Sequence, residues 1–186
     1  MLIGVDLGGT NIRAGAFNTD QFTSVVSENI AANKTEKDVL QQLFRIIDKL
    51  HDSSLTAIGV GVAGLVHDGI VYDAVNIPGW KTIPLKNMLE KRYSVPVVIE
   101  NDANCFALAE LYFGKAKSCD SMIGLTIGTG LGTGIIINKR LYRGSSGGAG
   151  EFGMMEYRDH CYEYYASGQF FQNVYGISGD LAFQQA

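Results

Sequence analysis

Apolar positions in this chain fall into short runs interrupted by glycine. Residues 2–18 (LIGVDLGGTNIRAGAFN) run apolar as far as Leu7, meet Gly8 and Gly9, and resume as a second apolar run. Residues 122–138 (MIGLTIGTGLGTGIIIN) do the same around Gly128 and Gly130. Ile3, Gly4, Gly8 and Asn18 recur as Ile123, Gly124, Gly128 and Asn138, which reads as an internal repeat. Each copy predicts a β-hairpin with a tight glycine turn. Residues 22–31 alternate as a third strand. Thr35 opens a helix with Asp38 close to capping-box spacing, and Val39, Leu40, Leu43, Phe44, Ile47 and Leu50 fall on one helical face. Residues 55–62 predict a buried strand. The following stretch carries turn signals at His67-Asp68-Gly69 and Ile77-Pro78-Gly79-Trp80 and reads as loop. A short helix over 84–93, a strand over 95–99 and a helix over 103–116, with Asn101 or Asp102 at its start, complete a βββαβαβα unit.

The second copy predicts a hairpin from residue 121, a short strand at 141–142, a glycine-rich loop at 144–153 and one helix over 162–175. The pattern therefore divides the chain into an α/β domain at 1–118 and the first part of a second, related domain at 119–186, as in the front part of a larger protein.

A net charge of −4 argues against a nucleic-acid-binding surface, so phosphate would have to be held by local backbone groups or a metal ion. Cys105, Cys119 and Cys161 are scattered, without framework spacing, as expected in a reducing cytosol. With no signal-peptide pattern and no membrane-spanning apolar run, the expected location is cytoplasmic, with no membrane partner.

Candidate chemistry gathers at the strand ends. Asp6 precedes the first turn, so Gly8, Gly9 and Thr10 can donate to phosphate while Asp6 holds Mg²⁺ through water; a plain hairpin with a structural Asp is the alternative. The second turn repeats the pattern with Gly128, Thr129, Gly130 and Gly132. Two such turns facing each other across a cleft would hold a polyphosphate. Gly59-Val60-Gly61-Val62-Ala63-Gly64 matches a dinucleotide fingerprint, but no helix opens after it, so close strand packing is the better reading. Asp102 is either an N-cap or a general base for an attacking hydroxyl. Asn76, Asn101 and Glu151 stand beside glycine-rich or proline-containing loops, as a polyhydroxylated ligand would need. His160 and Cys161 lack a second pair at zinc spacing.

Taken together, DLGGTNIRAG, the Asn-Ile-Pro-Gly-Trp loop, Glu-Asn-Asp-Ala-Asn, IGTGLGTGIIINKRLYRG and the Gly-Gly-Ala-Gly-Glu-Phe-Gly loop resemble the ROK family of sugar kinases and related repressors. The resemblance implies an actin-like, ribonuclease-H-like duplicated fold, and phosphoryl transfer from ATP to a hydroxyl of a hexose or hexosamine. It implies Asp102 as the base, with Asn76, Asn101, Glu151 and Glu163 contacting the sugar and the two turns contacting phosphates. The family usually has a zinc-binding His where this chain has Met154, and a cysteine-rich segment where this chain keeps only Cys161, so the resemblance implies a zinc-free member. A family repressor would need a helix-turn-helix ahead of the first turn, whereas this sequence begins at the strand. A non-catalytic assembly module is the remaining alternative, and exposed sheet edges of an unfinished second unit would favour a homo-oligomer.

Overall fold

The computed structural model describes residues 1–18, 21–30, 35–74, 76–77 and 79–184. Ala31, at the end of the expected third strand, and Pro78, in the Asn-Ile-Pro-Gly-Trp loop, lie outside the described residues. Contacts separate two compact units, Met1–Asp102 and Ala103–Ala186.

The first unit is built on β1 (Leu2–Leu7), β2 (Asn11–Asn18), β3 (Gln21–Asn29), α1 (Glu36–Asp48) and β4 (Ala57–Val62). They are followed by β5 (Leu65–His67), β6 (Ile70–Tyr72), β7 (Thr82–Ile83), α2 (Leu85–Tyr93) and β8 (Val97–Asn101). Its main sheet has the order β3-β2-β1-β4-β8. β1 is antiparallel to β2 and parallel to β4, and β4 is parallel to β8. Alternation along β1 decides which side is core: Ile3, Val5 and Leu7 are 1%, 5% and 0% exposed, while Leu2, Gly4 and Asp6 face out. They share an apolar core with Leu43, Ile46 and Ile47 of α1 and Leu89 of α2. Thr35 and Asp38 form the expected capping box, each side chain satisfying the other's backbone N–H.

The stretch that reads as loop after β4 is instead the small sheet β5-β6-β7. These strands are three, three and two residues long, too short to show a period. Asp68 and Gly69 join β5 to β6 with φ of 50° and 76°, the two left-handed residues that a type I′ hairpin turn requires.

In the second unit, the helix α3 (Asp102–Tyr112) opens one residue ahead of the boundary and leads to β9 (Met122–Ile127), β10 (Leu131–Ile137) and β11 (Arg140–Leu141). A 3₁₀ turn (Phe152–Met154), β12 (Glu156–Tyr157), β13 (His160–Cys161), α4 (Tyr162–Ala166), α5 (Phe170–Tyr175) and α6 (Gly179–Gln184) follow. The sequence puts a boundary after residue 118, whereas the contacts put it ahead of the body of α3, whose Ala107 and Leu111 form an apolar cluster with Ile136 of β10. Glycine makes that approach possible: a Cβ on Gly134 would stand 2.6 Å from the Ala107 Cβ, and one on Gly124 3.2 Å from it. The single helix expected over 162–175 is two helices, interrupted at residues 167–169, and α6 adds a turn of helix that the sequence pattern did not suggest.

Candidate functional site

In an open parallel sheet the carboxyl ends of the strands leave a crevice in which backbone N–H groups and side chains converge. β1, β4 and β8 end at Leu7, Val62 and Asn101, which share one row of the sheet. Beyond that row stand the turn Gly8-Gly9-Thr10, Gly64 and Asp102. The β1–β2 hairpin closes with the Gly8 N–H donating to the Asn11 carbonyl at 3.0 Å. Neither Gly8 nor Gly9 has a positive φ. Gly9 is needed for room, since a Cβ there would meet the backbone carbonyl of Asn76 and lie 2.5 Å from the Asn76 Cβ. Asn76 itself is exposed, so the structure seats it directly over the first turn.

Asn101 is half-buried. Its Nδ2 donates to the Gly64 carbonyl at 3.2 Å, and its backbone N–H donates to Glu100 Oε1 at 3.0 Å. Asp102 is the exposed first residue of α3. Asp6 is exposed in β1 and shares a row with Gly61 and the buried Glu100. Glu100 opens the Glu-Asn-Asp-Ala-Asn motif but receives no role of its own from the sequence. The G-x-G-x-x-G segment leads from β4 into β5, a strand, so no dinucleotide helix follows it. A Cβ on Gly64 would stand 3.1 Å from that of Ala74, which is the close packing expected there.

The second unit presents its own turn. Gly128 donates to the Gly130 carbonyl at 3.0 Å, closing the β9–β10 hairpin in register Ile127 to Leu131. Gly132 lies within β10 rather than in the turn, and a Cβ there would meet Ala103 of α3 at 2.9 Å. Glu163, in the first turn of α4, accepts the Leu131 N–H at 2.8 Å, and its Oε2 lies 2.6 Å from the place of a Gly130 Cβ. The structure thus brings Glu163 to the second glycine turn. Glu151 is exposed and immediately precedes the 3₁₀ turn, whose Gly153 would carry a Cβ 3.5 Å from that of Glu163. Around α4, Tyr157 stacks on Tyr162 at 4.8 Å and His160 on Tyr164 at 3.8 Å. Among the described residues no group of three or more His, Cys, Asp or Glu side chains converges as a directly held metal ion would require, and no helix is long and apolar enough to cross a membrane.

A surface concavity of about 420 Å³ lies elsewhere, between Phe44, Arg45, Asp48, Lys49 and Arg92. Its cations are already paired, Arg45 and Lys49 with Glu28 and Arg92 with Asp48, so it offers little to an anion. Arg45 and Lys49 hold the Glu28 carboxyl down at about 2.

Comparison with known proteins gives the family. The sequence model of the ROK family fits residues 2–185. A glucokinase of Streptomyces coelicolor is 37% identical over 91% of this chain and 57% of its own length. The solved ROK family glucokinase of Streptomyces griseus, in complex with glucose and AMPPNP, superposes with a TM-score of 0.79 at 38% identity, covering 90% of this chain and 57% of that one. A xylose repressor of Bacillus subtilis is 36% identical over 82% of this chain and 41% of its own length. The chain spans about half the length of the glucokinases it matches. Its α/β architecture is accordingly that of the actin-like ATPase fold, and by sequence and by structure the chain belongs to the ROK family.

Proposed function

We propose that this chain carries the phosphate- and sugar-binding machinery of an ATP-dependent sugar kinase that phosphorylates a hydroxyl of a hexose or N-acylhexosamine. The observation that carries the reading is the pair of glycine turns, one of four residues closed from the Gly8 N–H to the Asn11 carbonyl and one of three closed from the Gly128 N–H to the Gly130 carbonyl. In each, the first N–H folds onto the last carbonyl. The next N–H groups, of Gly9 and Thr10 and of Thr129 and Gly130, have no acceptor among the described residues, and donors of this kind suit phosphate oxygens.

Asp102 is the general base of this reading. It sits exposed at the C-terminal edge of β8, where its carboxylate can accept the proton of an attacking hydroxyl as that oxygen takes the phosphoryl group. Asn76 and Asn101 at the same strand ends, with Glu151 and Glu163, offer donors and acceptors to sugar hydroxyls. Asp6 is a single exposed carboxylate, which fits Mg²⁺ held through water rather than by a cage of side chains. When bound, Mg²⁺ neutralises charge on the phosphates. No zinc ligand set enters the proposal.

An ADP-release assay with Mg-ATP against glucose, mannose, fructose, N-acetylglucosamine and N-acetylmannosamine tests it. Sugar-dependent turnover that Asp102→Asn abolishes, with folding intact, supports the assignment; near-normal turnover by Asp102→Asn removes Asp102 as the base. The similarity to a xylose repressor favours a second reading, a sugar-binding half of a regulator. Sugar binding without turnover would select it.

A further inference from the structure

Segment 167–169, where the expected helix breaks, holds the second turn by its carbonyls. The Gly168 N–H donates to the Gly128 carbonyl at 2.6 Å, and the Gln169 Nε2 donates to the Thr129 carbonyl at 2.8 Å. Ser167, 7% exposed, accepts the Gln169 N–H at 3.2 Å on its Oγ and so fixes the base of that side chain. The remaining turn carbonyl, of Gly130, takes the Gly128 N–H. All three carbonyls of the turn are therefore committed.

A trans peptide is planar, so its C=O and N–H point in opposite directions. Drawing the Gly128 and Thr129 carbonyls toward segment 167–169 turns the N–H groups of Thr129 and Gly130 the other way. Without those anchors either peptide plane is free to rotate, because a glycine-flanked turn opposes rotation weakly. We infer that Gln169, with the Gly168 backbone, is a positioning residue that aims the Thr129 and Gly130 N–H groups at an anion. The inference rests on the reading of the turn as a phosphate site, and extends it to a side chain outside that site.

The test is a titration of the isotopically labelled 186-residue chain with inorganic phosphate, followed at the backbone amides of Thr129 and Gly130, with those of Gly9 and Thr10 as an internal reference. Gln169→Met keeps the length of the side chain and removes the donor; Gln169→Ala is the second variant. Gln169 is exposed, and both variants are expected to melt within a few degrees of the parent. The affinity read at Thr129 and Gly130 should fall about fivefold, the factor that corresponds to one hydrogen bond, while the affinity at Gly9 and Thr10 stays put. Unchanged affinity at Thr129 and Gly130 in both variants overturns the role of Gln169 and leaves the phosphate site standing. Absence of any phosphate response at Thr129 and Gly130 in the parent overturns the phosphate reading of the turn, and the inference with it.

Discussion

Turns 8–11 and 128–130 both fold their first N–H onto their last carbonyl, at 3.0 Å in each, yet the protein secures them by different means. The first is crowded: the Asn76 backbone fills the space over Gly9, and its one outside tether is a backbone bond, the Ile30 N–H donating to the Thr10 carbonyl at 2.7 Å, while among the described residues no donor reaches the Gly8 or Gly9 carbonyl. The second is tethered: Gly168 and Gln169 hold its carbonyls, and Glu163 takes the Leu131 N–H beside it. The first turn thus tolerates no added atom and leans on backbone alone, whereas the second depends on a side-chain donor and survives small changes of volume. One sequence signature therefore hides two mechanical solutions.

The comparison is open to test, beginning with the largest effect. Gly9→Ala places a methyl group against the Asn76 backbone, which cannot swing aside, and should cost about 3 kcal/mol in urea unfolding. Gly130→Ala meets only the end of the Glu163 carboxylate and should cost about 1 kcal/mol or less. Equal costs would erase the distinction. Gly168→Ala comes next: its Cβ would stand 2.7 Å from the Gly128 carbonyl, forcing tether and turn apart for about 2 kcal/mol, with phosphate affinity lost at Thr129 and Gly130 but kept at Gly9 and Thr10.

Acid offers a way to loosen the contact between β3 and α1 in the first unit. Glu28 of β3 is gripped by Arg45 and Gln42 of α1 and by Lys49 just past its end, and its carboxyl is lowered from 4.5 to about 2. A lowered carboxyl stabilises fully above its unfolded value and loses that contribution as pH falls through its folded one. Stability should thus decline from pH 4.5 toward 2, and Glu28→Gln should flatten that stretch of the curve. The cations are half exposed, so the effect is about 1 kcal/mol, measured by urea unfolding against pH. Smallest of all, Glu163→Gln keeps an acceptor for the Leu131 N–H and should move stability by only about 0.5 kcal/mol.

Much of this was legible in the chain because local rules decided it. The two hairpins follow from apolar runs ending at glycine, and α1 follows from Thr35 and Asp38 three residues apart. The strands β5 to β7 were hidden by their brevity, and the break at 167–169 by an apolar pattern that carries on across it. The position of Glu163 on the second turn, and the reason that Gly132 and Gly134 are glycines, depend on which elements pack together, and no window of sequence records that. At the candidate site, Asp6, the turn residues, Asn101 and Asp102 could be named from their places at strand ends. Gln169 could not, because its part lies in one bond to a carbonyl distant in sequence.

The internal repeat also exposes a hazard. Ile3, Val5 and Leu7 of β1 are core, but their counterparts Ile123, Leu125 and Ile127 of β9 are 57%, 54% and 70% exposed, and among the described residues β9 pairs with β10 alone. A short apolar strand with an open ladder of N–H and C=O groups is a template for stacking with its own kind into cross-β fibrils. In the 186-residue chain the residues that make one copy of the repeat a foundation make the other a seed, and a single Lys at position 125 would be the gatekeeper to install before that chain is concentrated or warmed.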